Sequence, residues 1–173
     1  MTPVVENILG VAFDIEARGT SVRRNGIVSI GICVAIGRNK EEIEVLLKER
    51  VSLQPLPGQN FEERCKTEFW DKWHADKLIE FEKEAIPHSD VAAKVQEWMR
   101  FVRSEAATRS VPYVILSDFK DFDLAWINDL LDANDYKPLY IDPETGSLLP
   151  TVDTDSFQCG MHRKGTIWGS DAK

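Results

Sequence analysis

The stretch VAFDIEARGTSVRRNGIVSIGICV, residues 11–34, determines the fold that we expect for this chain. It begins with a short apolar run that leads into Asp14 and Glu16, with Ile15 between them. Residues i and i+2 of a strand point to the same face of a sheet, so both carboxylates are expected on one face. After a turn rich in glycine and arginine, residues 27–36 are almost wholly apolar, as in a central strand buried on both faces. The stretch therefore predicts two neighbouring strands, the first of which carries two acids.

The remaining sequence predicts an α/β domain. We expect a third strand over residues 42–53, joined to the second by a hairpin at 37–40, then helices over 61–73, after Pro87 and over 124–131, a strand over 114–116, and a loop over 137–155. This order predicts a mixed β-sheet with an antiparallel three-strand meander followed by α/β units, and helices on both faces. We expect one domain over residues 1–173.

Composition limits the classes of function. The chain has 173 residues, is 43% hydrophobic and 29% charged, and carries a net charge of −8, so it lacks the strongly basic balance typical of duplex binders. Its three cysteines are odd in number and contain no CxxC pair, which argues against a disulfide framework or a zinc site. No stretch has the ~20 apolar residues of a membrane span. We therefore expect an intracellular, cytoplasmic protein that makes no membrane contact.

A third acid follows the predicted fourth strand. In LSDFKDFD, residues 116–123, a short apolar strand ends, a turn follows, and Asp123 opens a helix. An acid at this position is favoured by the helix dipole alone. Together with Asp14 and Glu16, however, Asp123 would reach one edge of the sheet, where α/β proteins bind ligands. Carboxylate oxygens are the ligands that hard divalent ions such as Mg²⁺ prefer, so the three acids predict a metal site.

Two of these segments resemble known motifs. Residues 11–34 are similar to the first motif of the DEDD exonuclease superfamily, and residues 117–126 (SDFKDFDLAW) resemble its second motif. Residues 61–70 (FEERCKTEFW) and 152–157 (VDTDSF) look like the connecting segments of a viral and bacterial subgroup of these enzymes.

The resemblance implies a ribonuclease-H-like fold and a 3′–5′ exonuclease that hydrolyses phosphodiester bonds at the 3′ end of single-stranded RNA or DNA. It also implies two metal ions, Mg²⁺ or Mn²⁺, which clamp the scissile phosphate. The residues that it implies are as follows: Asp14, Glu16 and Asp123 as catalytic, metal-binding acids, and Ala17, Arg18 and Phe122 as substrate contacts. A homodimer and a phage or viral origin are compatible with it.

The third motif of this superfamily is not visible in the sequence. That motif places a His or Tyr four or five residues before a last metal-binding Asp. Asp171 is the late acid with a family-like neighbour, but Thr166 and Ile167 occupy the positions of the His or Tyr. We therefore expect the exonuclease-like domain to be truncated at its C-terminus, with Asp171 as the alternative third-motif acid.

Alternatives remain open from the sequence. The chain could be a non-catalytic ribonuclease-H-like module that binds nucleic acid or protein, or another two-metal phosphoryl enzyme such as an endonuclease. Arg18, Arg23 and Arg24 follow the acids and would either clamp phosphate or be solvated. We expect four aromatic residues to belong to the core: Phe69, Trp70, Trp73 and Trp98. We also expect one of Phe13, Trp70 or Trp126 to stack on the terminal bases of a substrate.

Overall fold

The structure is a computed structural model of the chain, and it describes residues 7–37, 42–117, 122–143 and 146–153. Five strands form one sheet in the order β3-β2-β1-β4-β5. They are β1 (Ile8–Ala17), β2 (Ile27–Gly37), β3 (Ile43–Ser52), β4 (Tyr113–Ser117) and β5 (Thr151–Asp153). The first three form an antiparallel meander, while β4 and β5 add in parallel beside β1. This confirms the predicted mixed sheet and its meander.

The described residues also form five helical segments, which accompany the sheet. A π-helical segment over Cys65–Trp70 runs into α1 (Asp71–Trp73), followed by α2 (Ala75–Glu84), α3 (His88–Arg109) and α4 (Asp123–Asp132). The expected loop over 137–155 is wrong at its end, because Thr151–Asp153 pairs with β4 as β5. The expected hairpin turn at 37–40 lies largely outside the described residues. None of the described helices is both long and apolar enough to cross a bilayer.

Helices α3 and α4 cover one face of the sheet. The side chains of β1 alternate, and Leu9, Val11, Phe13 and Ile15 are buried in the same core cluster as both helices. The predicted apolar stripes of these helices are confirmed, since the following residues are all buried: Val91, Val95, Trp98 and Val102 of α3, and Leu124, Ile127, Leu130 and Leu131 of α4. The face of β1 that carries Asp14 and Glu16 therefore points away from this core.

Helix α2 packs on the opposite face. Glu49 of β3 accepts a hydrogen bond from the indole of Trp98 in α3, at 2.7 Å. Its neighbour Arg50 points the other way, as successive strand residues do, and pairs with Glu80 and Glu84 of α2. The sheet thus has helices on both faces, and α2 lies on the side that carries the acids.

The π-helical segment changes which aromatic residues are buried. Trp70 is 1% exposed, whereas Phe69 is 36% and Trp73 is 68% exposed, so the expectation that Phe69 and Trp73 belong to the core is wrong. A π-helical turn closes i→i+5 hydrogen bonds, which rotates the following side chains out of the α-helical stripe. Trp70 Nε1 donates to the carbonyl oxygen of Ala17 at 3.0 Å and so fixes the segment to the end of β1.

A tight turn joins β1 to β2. Gly26 has a φ of +76°, and a Cβ at this position would lie 2.3 Å from Gln59 Oε1. Its carbonyl accepts the backbone N–H of Arg18 at 3.0 Å. A residue with a Cβ would be strained at this φ and would displace the Gln59 side chain, so glycine is favoured in the turn that follows the two acids.

Candidate active site

Strand β1 presents Asp14 and Glu16 on the face that α3 and α4 leave uncovered. Asp14 is exposed and Glu16 is half-buried. Their partners across the antiparallel pair with β2 are small, Gly31 opposite Asp14 and Ser29 opposite Glu16. Small neighbours leave open space beside both carboxylates, which a ligand needs.

Asp123 reaches the same region from the next strand. It is the first residue of α4, and it is buried, with 5% of its surface exposed. The hydroxyl of Ser117, at the end of β4, donates to Asp123 Oδ2 at 2.8 Å. Since β4 lies parallel to β1, the acids come from two adjacent strand ends. A buried carboxylate with a hydrogen-bonded neighbour has a defined orientation, which a metal or phosphate site requires.

The negative charges of Asp14 and Asp123 both act on the carboxyl group of Glu16. Burial raises its pKa most, and the negative charges of Asp14 and Asp123 raise the pKa further, while the ammonium group of Lys77 lowers it. Oxygen donors of like charge that repel one another suit a hard divalent cation such as Mg²⁺ or Mn²⁺. Among the described residues, no group of three or more His, Cys, Asp or Glu side chains is arranged closely enough to hold a metal ion.

A groove of about 310 Å³ opens beside the acids. Asp14 and Glu16 form one side of it, and small residues of β1 and β2 line it near them. The other lining residues come mainly from β3 and α2, namely Lys48, Glu49, Arg50 and Phe81. Its size lies at the lower end of the range of ligand-binding clefts.

The three residues implied as substrate contacts lie in different environments. Ala17 uses its carbonyl oxygen to accept hydrogen bonds from Trp70 and from the Cys65 thiol. Phe122 precedes α4 and packs its ring on Trp126, with the ring centroids 4.9 Å apart. These contacts of Ala17 and Phe122 are all within the protein, and they give no evidence for a role of either residue in substrate binding.

Arg18 is buried rather than solvated. Its Nη1 lies 3.3 Å from Glu82 Oε1, and its guanidinium lies over the ring of Phe61. Its Nε and Nη2 are buried and have no hydrogen-bond partner among the residues that the structure describes. The expectation of a solvated loop arginine is therefore wrong for Arg18, whereas Arg23 and Arg24 are exposed. Asp171 lies outside the described residues.

The expected base-stacking aromatics are wrong. Phe13, Trp70 and Trp126 are 2%, 1% and 5% exposed, so none of the three presents a ring face to a base. The most exposed aromatic side chain in the described ranges is Trp73, which sequence reasoning assigned to the core. Its flanking residues, Asp71-Lys72 and His74, are all polar, and this was the available signal for an exposed position.

Glu16→Gln is expected to stabilise the metal-free protein at neutral pH. A carboxyl whose pKa is higher in the folded state binds protons more tightly when folded, so stability falls as the pH rises through that raised pKa. Glutamine removes the unfavourable charge. The gain should be present at neutral pH and vanish below the ordinary pKa of a carboxyl. Urea titrations of both proteins in EDTA, at neutral and at acid pH, measure it.

Glu62→Gln is the matched control, and it is expected to change the folding stability in the opposite direction to Glu16→Gln. The backbone N–H and hydroxyl of Thr20 donate to Glu62 Oε2 at 3.0 and 2.9 Å, and both hydrogen bonds lower the pKa of Glu62. Stability from this carboxylate is present at neutral pH and is lost as the pH falls through the lowered pKa. Glu62→Gln should therefore destabilise at neutral pH. If the two variants shift stability in the same direction, the assignment of opposite electrostatic environments is wrong.

Comparison with solved structures supports the fold. No protein-family model matches the sequence, and no curated protein matches it. Solved structures do match, and they show that this chain has the mixed α/β fold of ribonuclease-H-like exonucleases. In particular, E. coli exonuclease I in complex with a dT13 oligonucleotide has a TM-score of 0.63 and 14% identity, over 95% of this chain and 32% of that chain.

Two further structures of this enzyme give similar values. The ExoI/SSB-Ct complex has a TM-score of 0.67 and 14% identity, over 95% of this chain and 32% of that chain. The zinc-bound form of an E. coli ExoI–ssDNA complex has a TM-score of 0.61 and 13% identity, over 89% of this chain and 29% of that chain. This chain thus spans about a third of the length of the matching structures. It has the fold of these exonuclease I structures, while membership of the DEDD superfamily and of its viral and bacterial subgroup stays a prediction.

Proposed function

We propose that the chain is a metal-dependent 3′–5′ exonuclease that removes nucleotides from the 3′ end of single-stranded DNA or RNA. The observation that carries this proposal is the position of the three acids at neighbouring strand ends: Asp14 and Glu16 share one face of β1, and Asp123 begins α4 just after the parallel strand β4. Like-charged carboxylates that influence one another, as the raised pKa of Glu16 indicates, are stabilised when a cation binds between them. The fold shared with exonuclease I supports an exonuclease over an endonuclease or another two-metal phosphoryl enzyme.

The roles follow from the chemistry of the side chains. Asp14, Glu16 and Asp123 would hold two Mg²⁺ or Mn²⁺ ions, which in such sites activate a water and stabilise the leaving oxygen. Ser117 orients the carboxylate of Asp123 through its hydroxyl hydrogen bond. The half-buried position of Glu16 keeps part of the site away from bulk water, which strengthens every charge interaction in it.

Single-stranded DNA is the first substrate to test. The matching structures include exonuclease I bound to dT13 and dA16 oligonucleotides. RNA stays an alternative, because the contact that senses a 2′-hydroxyl depends on the placement of individual side chains. The homodimer, the intracellular location and the C-terminal truncation also stay predictions.

A 3′-trimming assay tests the proposal. The protein is incubated with 5′-labelled single-stranded DNA and RNA in Mg²⁺, in Mn²⁺ and in EDTA, beside Asp14→Asn. We expect a ladder that shortens from the 3′ end, requires metal and disappears in the variant, because the variant loses a metal ligand. Lys83→Met, an exposed substitution on α2, controls for handling and for contaminating nucleases.

Two outcomes would contradict the proposal. A ladder that persists in Asp14→Asn would place the catalytic site elsewhere or in a contaminant. A folded protein that binds the strands without shortening them would favour the non-catalytic binding module.

A further inference from the structure

Arg50, which lines the groove, and Arg18, which follows β1, are both paired with carboxylates. Arg50 contacts Glu80 and Glu84 at 2.9 and 3.0 Å, and Arg18 contacts Glu82 at 3.3 Å. The Arg50 guanidinium would have to give up an ion pair in order to reach a phosphate, and the Arg18 guanidinium is buried. Cations that lie at the groove outside ion pairs are therefore better placed to contact a phosphate.

Lys48 is a cation of the groove that is not paired with a carboxylate within the described residues. It lies on β3, directly opposite Cys33 of β2, and it lines the groove together with Asp14 and Glu16. The residue is exposed, and within the described ranges it forms no salt bridge. Its ammonium group is thus available on the side of the groove that faces the acids.

Lys77 is the second such cation, on α2. It precedes Phe81 by one helical turn, and Phe81 lines the groove, so both residues lie on the same side of the helix. Its charge is near enough to act on Glu16. Lys77 is exposed and makes no salt bridge with any residue that the structure describes. Lys77 is therefore a second cation near Glu16 that forms no ion pair within the described residues.

We propose that Lys48 and Lys77 bind backbone phosphates of a single nucleic-acid strand that crosses the groove between β1 and α2. The inference rests on the proposed function and adds the contacts that hold the strand. Lys77 would bind a phosphate next to the acids. Lys48 would bind a phosphate farther along the same nucleic-acid strand, since β1 and β3 are two strand spacings, or about 10 Å, apart.

This arrangement resolves the conflict between the acidic composition and a polyanionic substrate. The chain carries a net charge of −8, so long-range attraction to a nucleic acid is weak or repulsive. Lys48 in the groove and Lys77 beside it supply two positive charges near the acids despite that net charge, and neither forms a salt bridge within the described residues. Each lysine that neutralises a phosphate of a single strand contributes about 0.7 to the slope of log affinity against log salt concentration.

Salt-dependent binding tests the inference. Fluorescence anisotropy of 5′-labelled oligothymidylate is measured over a series of KCl concentrations, with Asp14→Asn in Mg²⁺ as the parent so that cleavage does not interfere. Lys48→Met and Lys77→Met are each expected to reduce the salt slope by about 0.7, or about fivefold in affinity per tenfold change in salt. The double variant should lose about 1.4, and Lys77→Arg should retain the slope of the parent.

Lys83→Met is the matched control, because Lys83 is an exposed lysine of the same helix, six residues and about 120° of rotation away from Lys77. If Lys48→Met and Lys77→Met bind like Lys83→Met, the inference is overturned, whatever the trimming assay shows. If the lysine variants lose affinity but the protein with Asp14 intact trims no strand, the phosphate contacts stand and the proposed catalysis fails.

Discussion

Asp123→Asn is expected to reduce metal-dependent 3′ trimming by about 10²–10³-fold, or about 3–4 kcal/mol of transition-state stabilisation. The substitution preserves the shape of the side chain and an oxygen that can accept the hydrogen bond from Ser117. It removes the negative charge through which Asp123 would hold a divalent ion. Single-turnover rates on 5′-labelled single-stranded DNA, at saturating Mg²⁺, measure the loss.

The stability of Asp123→Asn separates a catalytic role from a structural one. Loss of a charge at the start of α4 costs about 0.3–1 kcal/mol of helix-dipole stabilisation. Loss of repulsion with Glu16 offsets that cost, since Asp123 raises the pKa of Glu16. The free energy of unfolding of the metal-free protein should therefore stay within about 1 kcal/mol of wild type. A large drop in stability together with the lost activity would mean that Asp123 mainly supports the fold.

Ser117→Ala is the graded companion of this variant. It leaves the carboxylate of Asp123 in place and removes the hydroxyl that orients it. Substitution of a residue that orients a metal ligand typically costs about 10–100-fold in activity or metal affinity. Ser117→Ala should thus fall between wild type and Asp123→Asn, with an increased requirement for Mg²⁺. Equal rates for Ser117→Ala and wild type would remove Ser117 from the proposed site.

The strands and helices that the sequence predicts correctly are those in which apolar residues recur at the regular spacing of a strand or a helix. Alternation along β1 places Asp14 and Glu16 on one face, and the i, i+4 spacing of Val91 and Val95 identifies the buried side of α3. Helix α2 has only Leu78 and Phe81 buried among many charges, so its pattern is too sparse to indicate a packed helix. Strand β5 spans three residues and depends on its pairing with β4, which no local pattern encodes.

The candidate site is predictable only in part for the same reason. The types of the three acids are visible in the sequence, but their proximity depends on the parallel pairing of β4 with β1. The environment of Arg18 depends on Glu82, which is 64 residues away along the chain. Because α2 was not predicted, neither Phe81 nor Lys77 could be assigned to the groove. Contacts between residues far apart in the chain, rather than residue types, are what cannot be read from the sequence.

Trp70→Ala is expected to destabilise the protein by about 3–5 kcal/mol, a large part of the 5–15 kcal/mol that typically stabilises a domain. Trp70 is 1% exposed, and its ring packs edge-on against Phe61, Phe69 and Phe81. Alanine would leave a cavity there and would remove the donor to the carbonyl oxygen of Ala17. Urea unfolding, followed by circular dichroism, gives the change in the free energy of unfolding.

Trp73→Ala distinguishes this packing from a general effect of losing a tryptophan. Trp73 lies three residues farther on and is 68% exposed, so its loss should change stability by no more than about 0.5 kcal/mol. Trp70→Phe should fall between the two, because it retains most of the ring but loses the Nε1 hydrogen bond, which is worth about 1 kcal/mol. Since Ala17 follows Glu16 directly, Trp70→Ala should also loosen the strand end that presents the acids. If Trp70→Ala and Trp73→Ala were equally destabilising, the π-helical register that buries one ring and exposes the other would be wrong.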